Sequence, residues 1–223
     1  MKDIQKTAIV IGATGLVGSN LVKLLLEDED YKKVNIFVRR PTNIEHPKLN
    51  EYVVNFDQRN DWREKVQGDV LFSALGTTLR QAGSKEAQYK VDYDYQYNMA
   101  VTAATNGVRD YVLVSAQNAD PNSSFFYARM KGELEDSASK LPFKHMVLIR
   151  PGLIYGKRKH YRKRESLALC FITLCNKLGM LKNMKPIHGK DVAQAMLYTY
   201  KTSLGRETFT GGELFTMSAK YRL

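Results

Sequence analysis

The sequence predicts an α/β protein: a doubly wound parallel sheet, helices on both faces, and a small C-terminal region over one side of the cleft. Three observations predict it. The apolar run Ala8-Ile9-Val10-Ile11 passes directly into a turn holding Gly12, Gly15 and Gly18, and then into the amphipathic segment Leu16–Leu26. Short apolar runs then alternate with helical segments as far as Ile149. Those runs end in loops carrying turn formers, such as Arg39-Arg40-Pro41 and Arg150-Pro151-Gly152.

Each element follows from its residues. Val34–Val38 reads as a second strand, Tyr52–Val54 as a short third, and Val70–Ser73 as a fourth that runs into Ala74-Leu75-Gly76. Lys85–Asn106 is mostly helical, and Gly107 stops it. Tyr111–Val114 is the fifth strand. Ser123 or Ser124 caps a helix carrying Tyr127 through Leu141, which Pro142 ends. His145–Ile149 is the sixth strand. After Gly156 the pattern changes to a basic run, an apolar helix over Ser166–Leu178, and a last helix opened by Lys185–Ala193 and running through Tyr200. Right-handed crossovers put the ligand crevice at the C-terminal ends of the strands.

The 223 residues suit one domain that buries its own core without staples. A hydrophobic content of 43% is compatible with a globular protein, so disorder is not the default. Cys170 and Cys175 share one apolar segment and read as reduced thiols; no disulfide framework or metal pattern is readable. No secretory apolar region precedes the first strand, and no run is long enough to span a bilayer. The expectation is a soluble cytoplasmic protein. Basic residues outnumber acidic ones 34 to 23, for a net charge of +11, and six of them crowd into Lys157–Arg164. That run is a solvated loop, a lid steering an anionic ligand, or a docking patch for nucleic acid or membrane. No aromatic platform or recognition helix accompanies it, so nucleic acid ranks last among partners.

The glycine turn carries the first chemistry. A strand, a glycine turn and a helix N-terminus together aim main-chain N–H groups at a pyrophosphate. Gly12, Thr14, Gly15, Leu16, Val17 and Gly18 are the expected dinucleotide contacts, although the spacing is G-x-x-G-x-x-G rather than G-x-G-x-x-G. Ala74, Leu75 and Gly76, with Pro151 and Gly152, stand at strand ends in the same crevice. Arg39 lies 21 residues past Gly18, where an acid would accept from an adenosine ribose. Arg39 and Arg40 instead suit a 2′-phosphate, which favours NADP(H) over NAD. Asp57 either accepts from an adenine amino group or caps the helix near Asp61.

Tyr127 and Lys131 are four apart, so a helix places them on one face. A phenol is a poor base at neutral pH, and a nearby ammonium makes its proton easier to exchange. Such a pair can relay a proton in carbonyl reduction or alcohol oxidation.

With these residues assembled, the chain resembles the short-chain dehydrogenase/reductases. Ala74-Leu75-Gly76-Thr77-Thr78, Val91–Tyr95 and Asn118–Tyr127 resemble more closely the atypical, HIV Tat-interacting oxidoreductase-like branch. The resemblance covers nearly the whole chain, most firmly Thr7–Gly156. It implies a Rossmann fold that binds NADP(H), with Tyr127 as catalytic acid/base, Lys131 as its partner and Ser115 assisting. One departure is Ala116, which stands where the family places a hydroxyl for the substrate carbonyl. His188 and Asp191 occupy a phrase that recurs in extended members and read as a loop anchor and an early helix acid.

The expected function is NADP(H)-dependent oxidoreduction of a small-molecule carbonyl or alcohol. Residues 1–223 form one domain, with 151–223 supplying the substrate side of the cleft. The alternative is a non-catalytic NADPH-binding regulatory or protein-interaction module. Ala116 favours the alternative; the Tyr127/Lys131 pair argues against it.

Overall fold

The computed structural model describes residues 5–156 and 185–222. The basic run 157–164, the apolar helix expected over 166–178, and both cysteines lie outside the described residues.

The first strand, β1 (Lys6–Ile11), is apolar throughout its second half because both faces of a parallel sheet are covered. Side chains alternate across it. Ala8 and Val10 enter one core; Ile9 and Ile11 enter the other. The remaining sheet strands are β2 (Tyr31–Val38), β3 (Leu49–Val53), β4 (Val70–Ser73), β5 (Asp110–Val114), β6 (His145–Arg150) and β9 (Arg206–Thr210). Their order is β3-β2-β1-β4-β5-β6-β9, and every neighbouring pair is parallel. A separate pair, β7 (Ile154–Tyr155) with β8 (Ile187–His188), is also parallel.

Helices cover both faces, as the doubly wound expectation requires. On one face α1 (Gly18–Glu27), α7 (Gly189–Thr202) and α8 (Gly211–Tyr221) supply Leu21, Leu25, Val192, Met196 and Leu214 to one core. On the other, α2 (Arg59–Trp62), α5 (Tyr95–Thr105) and α6 (Phe126–Ser139) supply Trp62, Met99, Ala103, Leu134 and Ala138. Truncating one of these fully buried leucines to alanine would cost roughly 2–5 kcal/mol.

The structure corrects one of the sequence expectations and adds detail to two others. Lys85–Asn106 is mostly helical, as expected, with α4 (Lys85–Tyr89) passing through a π-helical turn, Lys90–Asp94, into α5. Neither Ser123 nor Ser124 caps α6. Phe125 is the capping position and makes no side-chain bond, while Ser123 Oγ accepts from the Phe125 N–H at 3.2 Å. The C-terminus adds elements that the sequence reading did not assign. Arg206–Thr210 joins β6 as the seventh strand, and α8 follows through a capping box between Thr210 and Glu213.

Candidate functional site

The glycine turn leaves the C-terminal end of β1 and packs against the loop after β4. Gly12 has φ +78°, which a side chain disfavours, and its α-carbon faces the main chain of Ala74 and Leu75. The Gly15 N–H donates to the Gly12 carbonyl at 2.9 Å, and Gly18 opens α1 hard against the same carbonyl. Gly15 has more room: a Cβ there would meet the Gly12 oxygen at 3.2 Å. Thr14 and Gly15 are exposed, Leu16 is half-buried, and Val17 is a core residue. Val17 therefore has only its main chain to offer a ligand.

The other strand ends converge on this turn. The Ala74 N–H donates to the Ile11 carbonyl at 3.0 Å, and the Gln117 N–H to the Pro151 carbonyl at 3.0 Å. Gly152 faces the Gln117 amide oxygen and the Lys185 carbonyl. Gly156 and Gly189 both lie against Leu16. The segments 151–156 and 185–189 are thereby brought beside the turn. His188 caps α7 through Nδ1, which accepts the Lys190 N–H at 3.1 Å, and Asp191 pairs with Arg222. Both residues therefore have the structural roles expected of them.

Arg39 and Arg40 follow β2, are exposed, and enter no ion pair among the described residues. Asp57 is otherwise engaged. It pairs with Lys90 at 2.8 Å and accepts from the Tyr95 hydroxyl at 3.0 Å. The hydrogen-bonded Lys90 ammonium holds the Asp57 carboxyl below its usual range. Its alternative role as a helix cap is corrected: Gln58 holds the capping position of α2, and no side chain caps it.

Tyr127 and Lys131 stand in the first turns of α6, beyond the end of β5. Tyr127 is 44% exposed; Lys131 is 2% exposed, with its ammonium 5.9 Å from the centre of the Tyr127 ring. Gly132 permits this placement by letting α6 abut the main chain at Asp120–Pro121, where any Cβ would come within 2.2 Å. One turn further on, Glu135 takes Arg150 from the end of β6, with Nε–Oε1 at 3.0 Å. Ser115 is buried, and its Oγ finds no hydrogen-bond partner among the described residues.

The partner of Lys131 is the residue that sequence reasoning missed. Asp92, 1% exposed on the π turn, meets the Lys131 ammonium at 3.0 Å through Oδ1. Its Oδ2 accepts the Thr77 N–H at 2.7 Å, just beyond Gly76. Burial pulls the Lys131 pKa down, but Asp92 and then the Tyr127 oxygen more than offset it, leaving the ammonium held above the usual lysine range. The one available signal was the acid in the Val91–Tyr95 phrase, which carried no role in the sequence.

These residues fit a dinucleotide on two counts. The turn at Gly12 and Gly15 keeps side chains away from a bare main-chain cradle. Two kinds of polar group, the Ser115 hydroxyl and the Lys131 ammonium, are buried beside the crevice with bonding capacity unspent among the described residues.

Comparison with known proteins agrees. A family described as NAD(P)H-binding matches residues 12–153. The chain is 34% identical over 197 residues to "Protein FMP52, mitochondrial" of Candida albicans, covering 86% of each. It is 39% identical over 192 residues to the protein of that name from Eremothecium gossypii, covering 84% of this chain and 85% of the relative. Among solved structures, MoeE5 in complex with UDP-glucuronic acid and NAD superposes with a TM-score of 0.71 at 17% identity, over 96% of this chain and 81% of that one. The Bordetella bronchiseptica enzyme WbmH in complex with NAD+ gives 0.70 at 17% identity, over 93% and 76%. These likenesses show the Rossmann-type fold. The relatives' names overturn the cytoplasmic expectation. The matched relatives are named as mitochondrial proteins, which points away from the cytoplasm. Among the described residues, no helix is long and apolar enough to cross a membrane.

Proposed function

The chain belongs to the NAD(P)H-binding family, and from that premise we propose that it is an NADP(H)-dependent oxidoreductase of the short-chain dehydrogenase type, interconverting a carbonyl and an alcohol. The single observation that carries this reading is the Tyr127/Lys131 pair: a phenol open to solvent at the crevice, one helical turn from a buried ammonium kept charged by Asp92. The phrases at Ala74–Thr78, Val91–Tyr95 and Asn118–Tyr127 support the HIV Tat-interacting oxidoreductase-like branch, and the relatives' names support a mitochondrial setting.

When bound, the nicotinamide supplies or accepts the hydride. The chain's own residues do the rest. The N–H groups around Gly12–Gly18 would hold the pyrophosphate at the start of α1. Arg39 and Arg40 would take the 2′-phosphate with charge-assisted bonds, which is why NADP(H) is preferred in this reading. Lys131 would donate to a ribose hydroxyl and stabilise phenolate character on Tyr127. Tyr127 would then give its proton to the carbonyl oxygen during reduction, or take it back during oxidation. Segments 151–156 and 185–189 would form the substrate side. Consumption of NADPH with a panel of aldehydes and ketones tests the proposal, with Tyr127→Phe as the control: a protein that binds NADPH but turns over none of them counts against it.

A second reading has its own observation. The Ala116 side chain has no donor to offer a substrate oxygen, and the Ser115 hydroxyl beside it is buried. A protein that binds NADPH without turnover would be a regulatory or interaction module. Losing one oxyanion donor costs roughly 10²–10³ in rate, so slow turnover favours the enzyme and none favours the module.

A further inference from the structure

Asp92 lies far from the glycine turn in sequence and belongs to none of the residues first expected at the site. Its surroundings are unusual for a structural acid. It sits on a π-helical turn, a departure from the α-helix that re-aims side chains and is common at functional positions. Both carboxylate oxygens are committed in different directions, one to the Lys131 ammonium and one to the Thr77 N–H. Gly76 backs directly onto Oδ1, where a Cβ would stand 3.2 Å away. The main chain around Asp92 is fixed as well. Its carbonyl accepts from Gln96 Nε2 at 2.6 Å, and the Gln96 amide oxygen accepts from Ser73 Oγ at 2.6 Å. Gln88 Nε2 donates to the Thr77 carbonyl at 3.2 Å.

Lysine carries three N–H donors. Among the described residues, Asp92 is the single hydrogen-bond partner of the Lys131 ammonium. Two donors therefore remain at a nearly sealed position, the number needed for a ribose hydroxyl and the Tyr127 oxygen. A buried ammonium without a counter-charge loses its proton. The titratable groups facing Lys131 are Asp92 from the π turn, with Tyr127 and Glu135 on its own helix, and Glu135 is already matched by Arg150 from β6.

We propose that Asp92 is a positioning residue: it holds the Lys131 ammonium charged, aims its two free donors into the crevice, and ties that aim to the loop Ala74–Thr78 that lines it. Asp92 touches neither cofactor nor substrate and acts through Lys131. The inference rests on the functional reading above for its purpose, but not for its test.

The test follows Lys131 itself, by NMR of lysine-labelled protein without cofactor, in the wild type, Asp92→Asn and the double variant Asp92→Asn/Lys131→Arg. Wild-type Lys131 should keep its proton beyond the ordinary lysine value of about 10.4. In Asp92→Asn it should titrate roughly two or more units lower, the scale set by burial without a partner. NADPH binding, followed by its fluorescence, should match wild type near about pH 6 in Asp92→Asn. It should weaken about tenfold or more toward about pH 9, as the ammonium is lost. Arginine cannot lose its charge in this range, so Asp92→Asn/Lys131→Arg should show no such slope. The same lysine titration in wild type and Asp92→Asn overturns the proposal. If Asp92→Asn does not fold, wild-type Lys131 titrating below about pH 9 overturns it, and retention of the proton supports it. A wild type that binds no NADPH defeats the functional reading instead, and the lysine titration still decides the role of Asp92.

Discussion

The carbonyl oxygen of Ala74 fills the space that any side chain on Gly12 would need: a Cβ there would stand 2.3 Å from it. The end of β1 and the end of β4 are locked together main chain to main chain. Gly18 is equally constrained, with a Cβ falling 2.1 Å from the Gly12 oxygen, whereas Gly15 is not.

That difference separates stability from binding. Gly12→Ala and Gly18→Ala should each destabilise the protein by about 2–4 kcal/mol, through backbone clash and, at Gly12, positive φ. Gly15→Val should stay folded, with a loss of roughly 1 kcal/mol, yet lose at least about a hundredfold in NADPH affinity because the main chain is no longer bare. Chemical denaturation and calorimetry together check this. Undiminished affinity in folded Gly15→Val would place the cofactor elsewhere.

Arg39 and Arg40 should select the cofactor. Wild type should prefer NADPH to NADH, and Arg39→Ala/Arg40→Ala should lose about 1.5–3 kcal/mol of that preference, the worth of hydrogen bonds to a charged group. NADH affinity should hardly move. Calorimetry with both cofactors reads the difference; equal affinities in wild type would sink the assignment.

Tyr127→Phe should lower turnover about 10²–10⁴-fold with little change in NADPH affinity, because in the proposed mechanism the hydroxyl serves the proton transfer alone. Steady-state rates on a responsive substrate provide the measurement. An unchanged rate excludes the phenol as the proton donor.

Lys131→Met should destabilise the fold by about 3–5 kcal/mol, because Asp92 is left charged, buried and unpaired. The pH dependence has a definite sign. Folding holds the Lys131 pKa above its unfolded value, so its contribution is complete below about pH 10.4 and is lost as pH rises through the higher folded value. Denaturant melts from about pH 7 to about pH 11 should show wild type losing its margin over Lys131→Met only at the alkaline end.

Gly132→Ala should disturb the site from behind. A Cβ there meets the carbonyl carbon of Asp120 and the nitrogen of Pro121 at 2.2 Å, so α6 must move and carry Tyr127 and Lys131 with it. The expected result is a loss of about 2–4 kcal/mol in stability together with weaker NADPH binding. A stable variant with wild-type affinity would show that the helix has slack.

Much of this was legible because it is local. The strand entering Gly12 and the four-residue spacing of Tyr127 and Lys131 are patterns within a few residues, and the structure keeps both. What escaped was tertiary. Asp92 finds Lys131 across 39 positions of sequence through a π turn that no periodicity announces. Arg206-Glu207-Thr208-Phe209-Thr210 is too polar to read as a sheet strand, because an edge strand exposes one flank. Asp57 was open to two readings because its partners, Lys90 and Tyr95, arrive from a different helical segment.

The edge position of β9 has a further consequence, for the order in which the chain can acquire its structure. β9 pairs with β6 from 60 residues away, Met146 opposite Arg206, so this contact forms only after Arg206–Thr210 has left the ribosome. Until then Met146–Arg150 presents a free ladder of N–H and C=O groups on an apolar strand, the kind of template that recruits other chains. A premature stop before Arg206 would preserve the glycine turn, Tyr127 and Lys131, and still be expected to yield aggregate rather than a shortened binding protein.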